Sequence, residues 1–174
     1  MGTVYYTAVS LDGFIAAPGH DLAWLLALDS DPAGPLGFEG FLPRVGAVVM
    51  GANTYQWVLA HDTGPWPYQA PTWVLTHRTF PVRPDGDVRC TAAPVPEVHA
   101  QAAAAAGERD VWLVGGGELV GQFHDAGLLD EVILSVAPVT LGAGAALLPR
   151  RIDLELLEVA RNRDFACTRH RVRR

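Results

Sequence analysis

Apolar residues come in two rhythms along this chain. Val4 to Ser10 is β-branched and aromatic and stops at Asp12-Gly13, the mark of a strand running into a turn. Ala47 to Met50 is continuously apolar, as a strand buried on both faces must be, and Gly51 punctuates it before a helix over Thr54 to Leu59. Thr72 to Leu75 repeats the pattern, Val88 to Cys90 repeats it more weakly, and Val111 to Val114 and Val132 to Val136 carry it on. Between these segments the spacing predicts helices over Val95 to Ala106 and Leu119 to Ala126, with others after Asp21 and across Phe38 to Val45.

Strands that alternate with helices predict an α/β fold with a mostly parallel central sheet and helices on both faces. The ending breaks that rhythm. Leu154 to Ala160 and Phe165 to Val172, joined by Arg161-Asn-Arg-Asp164, predict an antiparallel C-terminal hairpin at the sheet edge. A chain of 174 residues is one domain by length, with roughly 70% of its unfolded surface available for burial. There is no internal repeat or linker, and the Gly/Pro-rich stretches Pro32 to Gly40 and Gly64 to Pro71 are surface loops suited to bordering a pocket.

The most informative segment is Val111-Trp-Leu-Val-Gly-Gly-Gly-Glu-Leu-Val120, a short strand that enters three glycines and then a helix. A helix beginning there leaves its first N–H groups unpaired and its positive dipole end exposed, and residues without Cβ let an anion approach the backbone. Gly115, Gly116 and Gly117 therefore suit a nucleotide pyrophosphate. The spacing is not G-x-G-x-x-G, and a tight strand-to-helix turn alone would demand the same glycines.

Charge and cysteines narrow the classes. The net charge is −6, and all 13 basic residues are arginine, so Schiff-base lysine chemistry is excluded. Arg169, Arg171 and Arg173 would share one face of a strand, but in an acidic chain a solvated edge strand is a better reading than a nucleic-acid patch. Cys90 and Cys167 are far apart and form no C-x-x-C pair, and His61, His99, His124 and His170 show no metal spacing. The start, Met1-Gly-Thr-Val-Tyr-Tyr, carries no targeting signal and the chain no membrane-spanning run, so a reduced, cytoplasmic protein is expected.

Five segments in order resemble the dihydrofolate reductase-like superfamily: Val4 to Ala16, Val48-Val-Met-Gly-Ala-Asn-Thr-Tyr55, Thr72-Trp-Val-Leu-Thr-His-Arg78, Val114-Gly-Gly-Gly-Glu-Leu119 and Pro138-Val-Thr-Leu-Gly-Ala-Gly144. The nearest branch is the C-terminal reductase domain of the bifunctional deaminase-reductase of riboflavin biosynthesis, with its stand-alone relatives. The resemblance covers nearly the whole chain and implies a sheet of about eight strands. It also implies a reduced nicotinamide cofactor, NADPH or else NADH, and hydride transfer to a small heterocyclic or imine-like acceptor.

Carried over residue by residue, the resemblance places Ala8 and Ile15 at the nicotinamide ring and Gly51, Asn53 and Thr54 at the cofactor phosphates. Gly115, Gly116 and Gly117, followed by Leu119, match the family's glycine turn, in which a cis Gly-Gly peptide is usual. Thr76, His77 and Arg78 match the loop at the adenosine ribose and its 2′-phosphate. Two departures matter: Ala52 and Glu118 stand where the folate enzymes carry arginines, so selectivity for NADPH either rests on Arg78 and His77 or is weak.

The catalytic end is less specific. Asp21 in His20-Asp-Leu-Ala-Trp-Leu25 matches the folate enzymes' substrate carboxylate, and equally suits an N-cap. Asp12 suits a structural role in its turn. The folate enzymes' Pro-Trp loop is missing and Phe14 replaces the riboflavin enzymes' basic residue, so a phosphoribosyl substrate would have to rely on Arg44 or on Arg150 and Arg151. Loop Ala137 to Leu147 is expected to close one side of the pocket, and Trp24, Trp57 and Trp66 suit either a pocket wall or core packing. Two rivals remain: a nucleotide- or drug-binding module that kept the fold without catalysis, and an interaction module in which the glycines are architecture. Related domains often form dimers, and exposed apolar strands would supply a homodimer interface.

Overall fold

In the computed structural model, which describes residues 1–62, 64–81 and 83–174, the apolar runs become strands whose alternate residues enter two separate cores. The elements in chain order are β1 (Thr3–Ser10), β2 (Phe14–Ala16), a 3-10 turn (Pro18–His20), α1 (Ala23–Leu26), α2 (Phe38–Phe41), a second 3-10 turn (Leu42–Arg44), β3 (Val45–Gly51), α3 (Ala52–His61), β4 (Thr72–Leu75), β5 (Val88–Thr91), α4 (Val95–Ala106), β6 (Asp110–Gly115), α5 (Gly117–Asp125), β7 (Glu131–Ala137), β8 (Ala145–Ala146), β9 (Leu154–Asn162) and β10 (Phe165–Val172).

Eight strands form one sheet in the order β5-β4-β3-β6-β1-β7-β10-β9. Every neighbouring pair from β5 to β7 is parallel, and β10 and β9 add the antiparallel edge. Tyr5, Val49, Trp73 and Leu113 face a core closed by Val98 and Ala102 of α4 and Val120 and Phe123 of α5. Val4, Val48, Val74 and Trp112 face the other core, with Tyr55 and Val58 of α3. This two-sided burial is why these strands read as unbroken apolar runs.

The structure extends the expectations in four places. The helix expected across Phe38 to Val45 is a single turn, because Pro43 lies in a 3-10 turn and Val45 already pairs with Asp110 in the sheet. α3 starts at Ala52 and α5 at Gly117, two residues earlier than periodicity indicated, so each helix begins at its glycine. The small sheet β2-β8 escaped periodicity because strands of 3 and 2 residues carry no pattern. The C-terminal arginines do not form a free stripe: a bulge interrupts the strand between Arg169 and His170, Arg169 meets Glu158 at 3.3 Å and Arg171 meets Glu155 at 3.3 Å.

Candidate active site

Two helices open side by side at the carboxyl ends of the central strands. β3 and β6 are neighbours with Met50 opposite Gly115, and each passes directly into a helix. The N-caps are Gly51 and Gly116, both extended and both without a side-chain capping bond. The first-turn N–H groups of α3 and α5 are thus left to an outside acceptor, in the field of two positive dipole ends. Gly115 has φ +140°, a conformation other residues avoid, and the Gly115–Gly116 peptide is cis. A Cβ on Gly117 would run into the carbonyl oxygens of Ala146 and Leu147, so the turn lies hard against β8.

Beside this turn is a cavity of about 470 Å³. It brings together Ala8 and Ile15, Asn53 and Thr54, and Gly115 to Gly117, drawn from three separate stretches of sequence. A Cβ on Gly115 would stand 3.8 Å from Thr54 Oγ1 and 4.0 Å from Ile15 Cδ1, which places these groups around the missing side chain. Ala145 and Ala146 also line the cavity, as expected of the loop that holds β8, and so does Trp57. Trp66 is buried in the core, and Trp24 packs against the cluster of Ala137 and Phe165.

The other expected residues sit around this centre. Leu119 is buried, and its Cδ2 would lie 4.0 Å from a Cβ on Gly51, so Leu119 and Gly51 support the turn from behind. Arg78 and Asp21 line a second depression of about 530 Å³, which shares His20, Asn53 and Trp57 with the first. Arg78 Nη1 donates to Gln56 Oε1 at 2.9 Å, and its Nη2 donates to Asn53 Oδ1. Thr76 lines neither cavity but shapes the turn that presents Arg78, its Oγ1 accepting from the Arg78 N–H at 2.8 Å. His77 is exposed and lines neither. Asp21 is exposed, and its Oδ1 accepts from the Ala23 N–H at 3.0 Å at the start of α1.

Sequence reasoning did not single out Thr7, His20 or Tyr68, all of which line the cavity. Tyr68 comes from the Gly/Pro-rich loop already marked as a pocket border. His20 has φ +62°, unusual outside glycine, and nothing in its sequence signals that. Burial, with Asp62 nearby, pushes the Tyr68 phenol up to about 12, so it remains a protonated donor. Glu118 also lines the cavity; a hydrogen bond from Arg150 holds its carboxyl below the ordinary range. Arg44 is far from all of this, on Asp110 at the amino end of β6.

The carboxyl edge of this α/β sheet thus presents two glycine-capped helices beside an apolar slot, at the end of the strands where open α/β sheets hold their ligands. Residues 3–167 match the RibD C-terminal domain, and the chain belongs to that family. It is 33% identical over 145 residues to the uncharacterized protein YwjB of Bacillus subtilis, covering 83% of this chain and 81% of that one. A second B. subtilis protein, YyaP, also uncharacterized, is 27% identical over 165 residues, covering 86% of this chain and 83% of that one. The crystal structure of a protein from Shewanella sp. PV-4, provisionally assigned to riboflavin biosynthesis, superposes with a TM-score of 0.83 at 28% identity over 100% of both chains. The Thermotoga maritima diaminohydroxyphosphoribosylaminopyrimidine deaminase/5-amino-6-(5-phosphoribosylamino)uracil reductase shares the fold, with a TM-score of 0.64 at 16% identity over 98% of this chain and 56% of that one.

Proposed function

We propose that this chain is a reductase that binds NADPH across the glycine turn and reduces a small heterocyclic or imine-like acceptor in the adjoining cavity. The observation that carries the reading is the pair of glycine-capped helix N-termini, α3 and α5, opening on one apolar slot. Membership of the RibD C-terminal domain family and the reductase named among its structural neighbours support the same chemistry.

The residues present fit such a cofactor. The turn at Gly115 to Gly117 offers backbone without side chains, and the Thr54 hydroxyl and the first N–H groups of α3 and α5 are the donors a pyrophosphate needs. Ala8 and Ile15 would flank a flat ring. Arg78, held by Asn53 and Gln56, is the cation for a 2′-phosphate. When bound, a reduced nicotinamide supplies the hydride. The chain's own work is to orient the acceptor beside that ring and exclude water with apolar walls.

A binding module without turnover is the second reading, favoured by the exposure of Asp21 and its bond to the Ala23 amide. Titration with NADPH and NADH, followed by energy transfer from tryptophan to nicotinamide and by calorimetry, tests the shared core of both. Micromolar NADPH affinity is expected. Arg78→Ala should weaken it about 10- to 150-fold, the equivalent of losing a charge-assisted hydrogen bond, and leave NADH unchanged. No saturation by either nucleotide at millimolar concentration would overturn the reductase reading, and nucleotide oxidation on a pyrimidine or pterin panel separates reductase from binding module.

A further inference from the structure

Resting on that reading, we infer that the acceptor is an uncharged planar ring without a phosphate group, and that Tyr68 donates a hydrogen bond to it. The argument starts from the cations. The chain has no lysine and 13 arginines, and among the described residues no arginine lines the 470 Å³ cavity. Of the described arginines, Arg78 alone borders the depression that joins it. That single guanidinium can meet the cofactor's 2′-phosphate or a substrate phosphate, not both.

Arg150 is no substitute. Its Nε donates to Asp125 Oδ2 at 3.0 Å and its Nη2 to Glu118 Oε1 at 2.7 Å. Its stem lies on α5 beside Gly121, where an added Cβ would come within 3.0 Å of its Cγ. Arg44 and Arg171 belong to a separate depression at the amino ends of the strands, among Asp110, Glu131 and Glu155.

A phosphate dianion against apolar walls requires charge-assisted partners to offset its lost hydration. The two helix N-termini that open on this cavity, those of α3 and α5, face the glycine turn where the cofactor phosphates belong. The neighbouring acidic groups, Glu118 on the cavity, Asp21 on the joining depression and Asp62 near Tyr68, work against a second anion.

What the cavity does offer suits a neutral ring. Leu22, Leu25, Val114 and Trp57 add to the apolar lining. The volume, shared between a nicotinamide and its acceptor, is at the small end of the usual range of about 300–1,000 Å³ for ligand sites. Tyr68 is held edge-on by Trp66 and Trp112, with ring centroids 5.3 and 5.4 Å away, so its phenol is fixed in place. A protonated phenol donates readily to a ring carbonyl or nitrogen.

The test uses a matched pair of probes, 5-amino-6-(5-phosphoribosylamino)uracil and the same compound lacking its phosphate. Binding of each to protein saturated with NADP⁺ is measured by calorimetry and tryptophan quenching. The dephosphorylated probe is expected to bind at least tenfold more tightly. Tyr68→Phe should weaken it roughly two- to tenfold, the worth of one hydrogen bond, with NADPH affinity unchanged. Equal or tighter binding of the phosphorylated probe overturns the proposal, as does binding of neither while NADPH still binds. An unchanged affinity in Tyr68→Phe removes the phenol from it. Failure of NADPH itself to bind overturns the underlying reductase reading instead.

Discussion

Asp12 and Gly142 are joined across the fold, the Asp12 carboxylate accepting from the Gly142 N–H at 2.7 Å and from the Leu141 N–H at 3.0 Å while Ser10 Oγ donates to it at 2.6 Å. One side chain thus ties the β1–β2 turn to the stretch leading into β8, whose Ala145 and Ala146 line the cavity. These bonds bring the carboxyl down to about 2 from an ordinary 3.8. A depressed folded-state value stabilises above the unfolded value and is lost as pH falls through the folded one. The stability gap between wild type and Asp12→Ala is therefore expected to be full at pH 5 to 7 and to shrink between about pH 4 and about pH 2. Urea unfolding at pH 7, 4 and 3 checks this. A gap independent of pH would mean that the ionised carboxylate is not what holds the loop.

Gly117 and Gly51 carry the same residue type for different reasons. A methyl on Gly117 meets the carbonyl oxygens of Ala146 and Leu147, while a methyl on Gly51 would lie 3.7 Å from Gly115 O and 3.7 Å from Gly116 N, ordinary contact. Gly117→Ala is expected to cost about 1–3 kcal/mol, with Tm falling about 2–4 °C per kcal/mol, because backbone must move. Gly51→Ala should change stability by less than about 1 kcal/mol. Thermal unfolding of the two variants side by side decides whether close packing singles out Gly117.

Arg44 is a structural cation. Its Nε donates to Asp110 Oδ2 at 2.9 Å, and its Nη2 lies 3.3 Å from Glu131 Oε1. Asp110 is buried and also accepts from the Gly2 N–H at 2.8 Å. Arg44→Leu leaves that carboxylate with a lost partner at the amino end of the sheet, at a cost of about 1–2 kcal/mol, since the arginine itself is partly exposed. Nucleotide affinity is expected to be unchanged. A loss of affinity with the fold intact would return Arg44 to the list of ligand cations.

The central strands, the α4 helix and the C-terminal hairpin were legible because their signals are local: unbroken apolar runs, an alanine-rich period, two alternating segments around a turn. Thr72–Leu75 and Val95–Ala106 match their expected bounds residue for residue. The site was legible where glycines mark a turn and illegible where a side chain arrives from a loop. Nothing local shows that Tyr68 reaches the cavity wall, because its position depends on Trp66 and Trp112 lying beside it. The arginines misled for a similar reason: Arg44 and Arg150 are cations in sequence, but their carboxylate partners lie 66 and 32 residues away.

Glu118 stands in the first turn of α5, lines the cavity and is bound to Arg150 at 2.7 Å. A carboxylate there interacts favourably with the helix dipole, and for that reason competes with any phosphate drawn to the same N–H groups. Arg150 offsets part of the charge, but its guanidinium is shared with Asp125. Glu118→Gln keeps the shape and removes the charge. NADPH and NADH are both expected to bind about two- to fivefold more tightly, the scale of a helix-dipole interaction at an exposed end, while the helix itself is slightly weakened. Because the effect is electrostatic at an exposed helix end, it should be largest in dilute buffer and fade toward 1 M salt, where screening acts over about 3 Å. Calorimetric titrations of wild type and Glu118→Gln at two salt concentrations check it. A tighter affinity that ignores salt would point to a steric origin, and an unchanged one would take the pyrophosphate away from the α5 terminus.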